Sequence, residues 1–210
     1  MTRQHLTAAQ SLYDHLAGVL AGARVRRVLD IGCGEGALRA TLPARLRPRL
    51  VGLDASATML RAHPPPVVRA DATALPFVAG AFDATVAVNV LDHLPEPTVA
   101  IEKAHRVLVP GGILIAATTG RHDSPELAHV WRPPPSSVDA EAAPGLVAAV
   151  FGRVQVERWD APLVRLPGRD AVRDYLIARF VAPEAAVAAA ERVATPVTIT
   201  KRGAVVYARR

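Results

Sequence analysis

The sequence predicts an α/β protein: a mostly parallel sheet with helices on both faces. Between Val25 and Thr119, five short apolar runs alternate with segments of helical spacing. The runs are continuously apolar, as in parallel strands buried on both faces, rather than alternating apolar and polar. Short connections rich in Gly, Pro and Ser join them, and this rhythm favours right-handed crossovers in one sheet.

Each element has its own local cause. LTAAQSLYDHLAGVLAG (residues 6–22) carries apolar residues at helical spacing and stops at Gly22. VRRVLDIG (25–32) is the first strand and EGALRATLPARL (35–46) the helix after it. RLVGLD (49–54) is the second strand, and SATMLRAH (56–63) a helix opened by Ser56 as N-cap. PPPVVRAD (64–71) is a third strand entered through prolines. FDATVAVNV (82–90) is the fourth. PEPTVAIEKAHRVL (95–108) is a helix with Ile101, Ala104 and Leu108 on one stripe. Pro110, Gly111 and Gly112 form the turn into a fifth strand, GGILIAATT (111–119).

After Gly120 the rhythm changes. Loop and helix with a break at Pro133–Pro135 lead to RVQVERWDA (153–161), whose alternation marks a half-buried sixth strand. GRDAVRDYLIARF (168–180) and PEAAVAAAERVA (183–194) read as helices, with Asp123 and Ser124 as expected caps further upstream. TITKRGAVVYARR (198–210) is a β segment broken by Gly203. No repeat or linker divides the 210 residues, so one domain is expected: an N-terminal helix (1–22), a ligand-binding core (23–120), an acceptor side (121–197) and a last strand (198–210).

Composition narrows the function. Hydrophobic residues make up 50% of the chain, and mean hydropathy is positive, as a filled core requires. No apolar run reaches the roughly 18 residues of a spanning helix. MTRQHLTAAQ lacks a secretory apolar stretch and cleavage site, so the expected compartment is the cytoplasm. The net charge of +6 raises nucleic acid as a partner. Against that, the arginines are scattered, and aromatics at 4% are too few for a base-stacking platform. Cys33 is the only cysteine, so no internal disulfide forms. No His, Cys or carboxylate cluster has metal-site spacing.

The chemistry concentrates in VLDIGCGEGA (28–37). A helix that starts after a parallel strand points unpaired N–H groups at a ligand, and glycines allow close backbone approach. GCGEGA also satisfies the dinucleotide pattern G-x-G-x-x-A. Asp30, directly upstream, argues for a cationic ligand end, since a carboxylate repels a pyrophosphate and attracts an ammonium or sulfonium. Gly36 opens the turn further. Asp54, ending the second strand, can accept from both hydroxyls of a ribose; dinucleotide folds have an acid there too, so it marks an adenosine-type ligand without choosing between the two. Asp71, ending the third, can accept from an adenine amine, with the Ala72 N–H facing a ring nitrogen.

These segments, with FDATVAVNVLDHLPEP and VLVPGGILIAA, resemble the class I S-adenosylmethionine-dependent methyltransferases over about Val25 to Thr119, nearest to the ubiquinone and menaquinone C-methyltransferase type (methyltransferase type 11). The resemblance implies a Rossmann-like three-layer sandwich, with a seven-stranded, mostly parallel sheet of order 3-2-1-4-5-7-6 and an antiparallel last strand. It implies S-adenosyl-L-methionine as methyl donor. Asp30, Gly32, Cys33 and Gly34 would border the methionine end, Asp54 and Ala55 the ribose, and Asp71 and Ala72 the adenine. Asn89 would lie beside the methionine part, with Met59 and Leu53 packing on adenine or ribose. Asp83, in the family's "FD" entry to the fourth strand, is expected to be structural.

The implied reaction is displacement at the sulfonium methyl by a small-molecule acceptor. A base is needed only when the acceptor must shed a proton. His93 and His122 are the candidates, both in loops at the carboxyl edge where ligands of such sheets bind. Tyr13 is a candidate lid, and Arg121, Trp131, Arg165 and Tyr175 are exploratory acceptor contacts. Asn89–Val90–Leu91–Asp92 departs from the Asn/Asp–Pro–Pro–aromatic motif of amino-methylating nucleic-acid enzymes. A nucleic-acid methyltransferase, a nicotinamide-dinucleotide protein and a non-catalytic adenosine binder remain the alternatives. The acceptor and the oligomeric state are not written in the sequence.

Overall fold

The protein is described by a computed structural model covering residues 12–23, 25–133, 135–136 and 138–210. The predicted start of the first helix, Arg24 and Pro134 lie outside the described residues. Strands β1 (Val28–Ile31), β2 (Leu50–Asp54), β3 (Val67–Arg69), β4 (Phe82–Val88), β5 (Leu108–Thr119), β6 (Val154–Leu166) and β7 (Val197–Arg209) form one sheet. Its order is β3-β2-β1-β4-β5-β7-β6. The first five strands are parallel; β7 runs antiparallel to both β5 and β6.

Alternate residues of each strand feed opposite faces. From β1, Leu29 and Ile31 join a core with α4 (Pro97–Val107) and α5 (Ala143–Phe151). Val28, on the other face, joins Leu16 and Leu20 of α1 (Leu12–Gly22) and Leu38 of α2 (Ala37–Thr41). Two filled faces explain why the strands read as unbroken apolar runs. Tyr13 packs half-buried against this second core, a packing role rather than a visible lid. A third core covers the far ends of β6 and β7. Val164, Leu166 and Ile199 meet Val172, Tyr175 and Leu176 of α6 (Arg169–Ile177) and Ala186 and Ala190 of α7 (Pro183–Glu191).

Local signals placed most elements. Ser56 caps α3 (Ala57–Ala62) by accepting the Met59 N–H at 3.3 Å. Asp83 is structural: its Oδ2 accepts the Arg26 and Arg27 N–H groups at 3.0 and 2.7 Å, closing the entry to β1. Three expectations need correction. The second helix ends at Thr41 instead of Leu46, because Leu42 is extended, as the residue before Pro43 must be. Asp123 and Ser124 do not cap a helix: Ser124 makes no capping bond, and both side chains turn into a buried network described below. Gly203 does not break the last strand, whose pairing runs unbroken through it; the irregularity is opposite, between Pro162 and Val164. Gly203 is glycine because the Trp159 indole occupies the space of a side chain.

Gly203→Ala should therefore overpack this contact and destabilise by about 1–3 kcal/mol in chemical denaturation. Combining it with Trp159→Leu should recover part of the loss, a coupling that independent sites lack.

Candidate active site

The carboxyl ends of β1, β2, β3 and β4 meet at one edge of the sheet. The chain leaves β1 through Gly32, Gly34 and Gly36, all in the left-handed region with φ of 67°, 52° and 90°. A side chain at Gly32 would collide with Val90, just after β4. Around Gly34 nothing lies within 4 Å of a Cβ position, which leaves room for a ligand against the backbone.

The turn is tied to β2. Gly32 and Cys33 N–H both donate to the Leu53 carbonyl, at 2.8 and 3.0 Å. The Asp54 carboxylate accepts the Gly34 N–H at 2.9 Å on Oδ2 and the Ser56 N–H at 2.8 Å on Oδ1. Each oxygen keeps an acceptor site for a hydroxyl. Asp54 thus shapes the turn as well as presenting its remaining acceptor sites at the end of β2.

Asp30 is the outstanding charge. It is 3% exposed and accepts no hydrogen bond or ion pair from any described residue. Burial pushes its pKa up to about 7; Arg39 pulls it down, and Asp54 adds to the rise. Arg39 is itself buried and directs its two terminal nitrogens elsewhere, while its Nε has no partner among the described residues. It donates to the carbonyls of Arg47 (2.6 Å), Leu50 and Pro66 (3.3 Å), pinning the entries to β2 and β3. A buried carboxylate without a partner is costly, and a ligand ammonium beside it supplies the missing countercharge. The residues present therefore fit the methionine end of the donor. A pyrophosphate at this position would meet the same carboxylate unfavourably. The Cys33 thiol is buried and its pKa raised, by burial first and then by Asp30 and Asp54, so it is held protonated and inert.

Asp71 is exposed. Its Oδ1 accepts both the N–H and the hydroxyl of Thr73 at 2.8 Å, which lowers its pKa and keeps it ionised. Ala72 is buried behind it, and Ala55 is exposed after Asp54. Asn89 leaves β4 with φ 49°, a conformation asparagine tolerates, and its N–H donates to the Ala117 carbonyl at 2.8 Å. Met59 is 42% exposed, so it is no core residue and is available to cover a base. Leu53 is 1% exposed within the core and contributes its carbonyl to the turn, not its side chain to a ligand.

The acceptor side separates the remaining candidates. The His93 side chain is 61% exposed, with Nε2 3.9 Å from Asp92 Oδ2. His122 is exposed beyond β5, on the rim of a small cavity of about 120 Å³ shared with Pro125, Trp131 and Arg132. Arg121 pairs with Asp139 at 2.8 Å, and Arg165 is exposed. Tyr175 is removed from acceptor contact by complete burial. Its hydroxyl lies 2.7 Å from Ser124 Oγ and 3.3 Å from Lys201 Nζ, and Lys201 and Ser124 both donate to Asp123. This network joins the β5 loop to the third core. Sequence reading missed it, along with Arg39 and His63, because its members are far apart in the chain. One signal was present for His63: Gly52 in a buried strand marks close approach by another group.

Comparison with known proteins agrees with this geometry. Residues 29–116 match the family described as "Methyltransferase domain". The chain is 30% identical over 124 residues to a ubiquinone biosynthesis O-methyltransferase of Alkalilimnicola ehrlichii, covering 52% of this chain and 48% of the relative. It is 32% identical over 138 residues to a malonyl-[acyl-carrier protein] O-methyltransferase of Enterobacter lignolyticus, covering 62% and 53%. The chain thus spans about half the length of these curated relatives. The crystal structure of the [4+2]-cyclase SpnF superposes with a TM-score of 0.63 at 23% identity, covering 94% of this chain and 81% of that one, a likeness of fold. The methyltransferase match thus covers β1 to β5, and the full sheet has the order expected of the class I methyltransferases.

Because the pKa of Asp30 is raised in the folded state, its contribution to stability is present below about pH 4 and lost as pH rises through about 7. Asp30→Asn should accordingly stabilise the free protein at pH 8, by on the order of 2–4 kcal/mol, with the gain shrinking towards pH 4. The same variant should lose affinity for S-adenosylhomocysteine, whose ammonium no longer finds a carboxylate. Denaturation at the two pH values and calorimetric titration check the pair of effects.

Proposed function

We propose that this protein transfers a methyl group from S-adenosylmethionine to a small-molecule acceptor by direct displacement. The observation that carries it is Asp30, a buried acid without a partner among the described residues, at the strand end where the donor's cationic part belongs. The relatives named as O-methyltransferases of small or carrier-bound molecules support the acceptor class.

The bound donor supplies an already activated methyl, so the chain's task is alignment, a contribution of roughly 7–11 kcal/mol in favourable systems. Asp30 neutralises the ammonium, and the open backbone at Gly32 and Gly34 admits the methionine part. Asp54 accepts the ribose hydroxyls with the acceptor sites left by Gly34 and Ser56. Asp71 and the Ala72 N–H hold the adenine edge, Met59 covers its face, and Asn89 turns the chain beside the methionine. In the transfer itself the carbon–sulfur bond breaks as the acceptor–carbon bond forms. An acceptor that carries a proton passes it to His93 or His122, whose exposed side chains lie in the loops after β4 and β5.

The test is methyl transfer from isotopically labelled donor into small-molecule fractions of bacterial extracts. Label in a low-molecular-weight product supports the proposal. Label in RNA or DNA alone would overturn the acceptor class, and none anywhere would overturn catalysis. Asp54→Ala should raise the Kd for S-adenosylhomocysteine by about 10- to 100-fold, as loss of charge-assisted hydrogen bonds predicts. Calorimetric titration of a folded variant measures it.

A further inference from the structure

Packed against the glycine turn and β2 is a group that the donor-binding residues do not include. His63 follows the last residue of α3 and is 5% exposed. Its ring occupies the space that side chains at two separate glycines would need. A Cβ on Gly52, in the middle of β2, would lie 2.9 Å from Nε2 and 2.8 Å from Cys33 Sγ. A Cβ on Gly36, in the left-handed corner of the turn, would lie 3.0 Å from Cδ2. One flat ring therefore fills the gap between strand and turn, and both glycines are needed to admit it.

The ring is also fixed in plane and in charge. Nδ1 is 2.6 Å from the Pro64 carbonyl, which can only accept, so Nδ1 carries the hydrogen and Nε2 the lone pair. Nε2 is buried with no hydrogen-bond partner. Burial first, and then the Arg39 charge, lower the pKa, against the opposing pull of the Pro64 carbonyl and Asp54. Asp54 already holds the Gly34 and Ser56 N–H groups, and the Cys33 thiol stays protonated. The ring is a neutral wedge.

We infer that His63 is a positioning residue for the amino-acid end of the methyl donor, acting through the glycine turn. The ring backs Gly36; Gly36 N–H closes the turn on the Cys33 carbonyl at 3.0 Å; and the turn aims Gly34 at Asp54 and leaves Asp30 at the base of the site. Without the wedge, Gly36 and Gly52 face a void, and the turn is free to relax backwards. The adenine end, held at the end of β3, does not depend on it. The inference rests on the donor-binding proposal above.

Calorimetric titration with two ligands tests it: S-adenosylhomocysteine, which has the amino-acid end, and 5′-methylthioadenosine, which lacks it. His63→Ala removes wedge and anchor. His63→Asn keeps a donor for the Pro64 carbonyl but not the distal ring, and is the gentler variant for folding. His63→Phe keeps a ring without the anchor. The expected result is a roughly tenfold weaker S-adenosylhomocysteine affinity for the Ala and Asn variants, with methylthioadenosine within about twofold of wild type, and recovery of most of the loss by Phe. Equal loss for both ligands, unchanged affinity in the folded Asn variant, or no recovery by Phe would overturn it. Wild-type protein that binds neither ligand would overturn the donor assignment itself, a result distinct from these.

Discussion

An acid buried at the end of a central strand is the constraint on which the site is built. Asp30 belongs to β1, which hydrogen-bonds to β2 on one side and β4 on the other, so its backbone position is fixed by two neighbours. Its side chain shares the face of Val28 and is 3% exposed. Such a group disfavours its own ionisation until a cation arrives. The cost falls on the free protein and is offset in the complex, the exchange of stability for function common at binding sites.

The surrounding structure keeps that acid available. Arg39 is near enough to bias the Asp30 charge, yet its two terminal nitrogens are committed to three backbone carbonyls at the entries to β2 and β3. Asp54 is committed to the turn and the start of α3. The terminal nitrogens of Arg39 and both oxygens of Asp54 thus have structural partners of their own, and the Asp30 carboxylate accepts from no described residue. Left-handed glycines bring the backbone past Val90 and His63 without the close contacts that a Cβ would make at Gly32 and Gly36.

The far side of the edge is organised differently. There β6 and β7 run on beyond β5 and carry their own core, with α6 and α7 packed on it. The Asp123–Ser124–Tyr175–Lys201 network fastens this core to the loop after β5 through charge and hydrogen bonds buried together. The cavity beside His122 and Trp131 lies at that junction. The strand-end acids are thus concentrated on β1 to β3, while the far side is assembled from elements that differ in kind. SpnF, a protein named as a cyclase, has a comparable fold, so the fold alone does not specify what happens on this side.

The sequence by itself determined the sheet and the acidic edge. Continuous apolar runs, turn glycines and strand-ending acids are local features, and Asp30, Asp54, Asp71 and Asn89 each fall at a strand end for reasons visible within a few residues. The implied strand order also held, down to the antiparallel β7. Only the tertiary structure decided which groups stand behind the edge. Arg39 reads as a helix-surface arginine and is buried; Tyr175 reads as an acceptor contact and is wholly enclosed; Gly203 reads as a strand break and makes way for Trp159; Met59 proves exposed and Leu53 enclosed. Burial and close approach depend on residues distant in the chain, such as His63 against Gly36 and Lys201 against Asp123, and no local pattern encodes who meets whom across a packed interior.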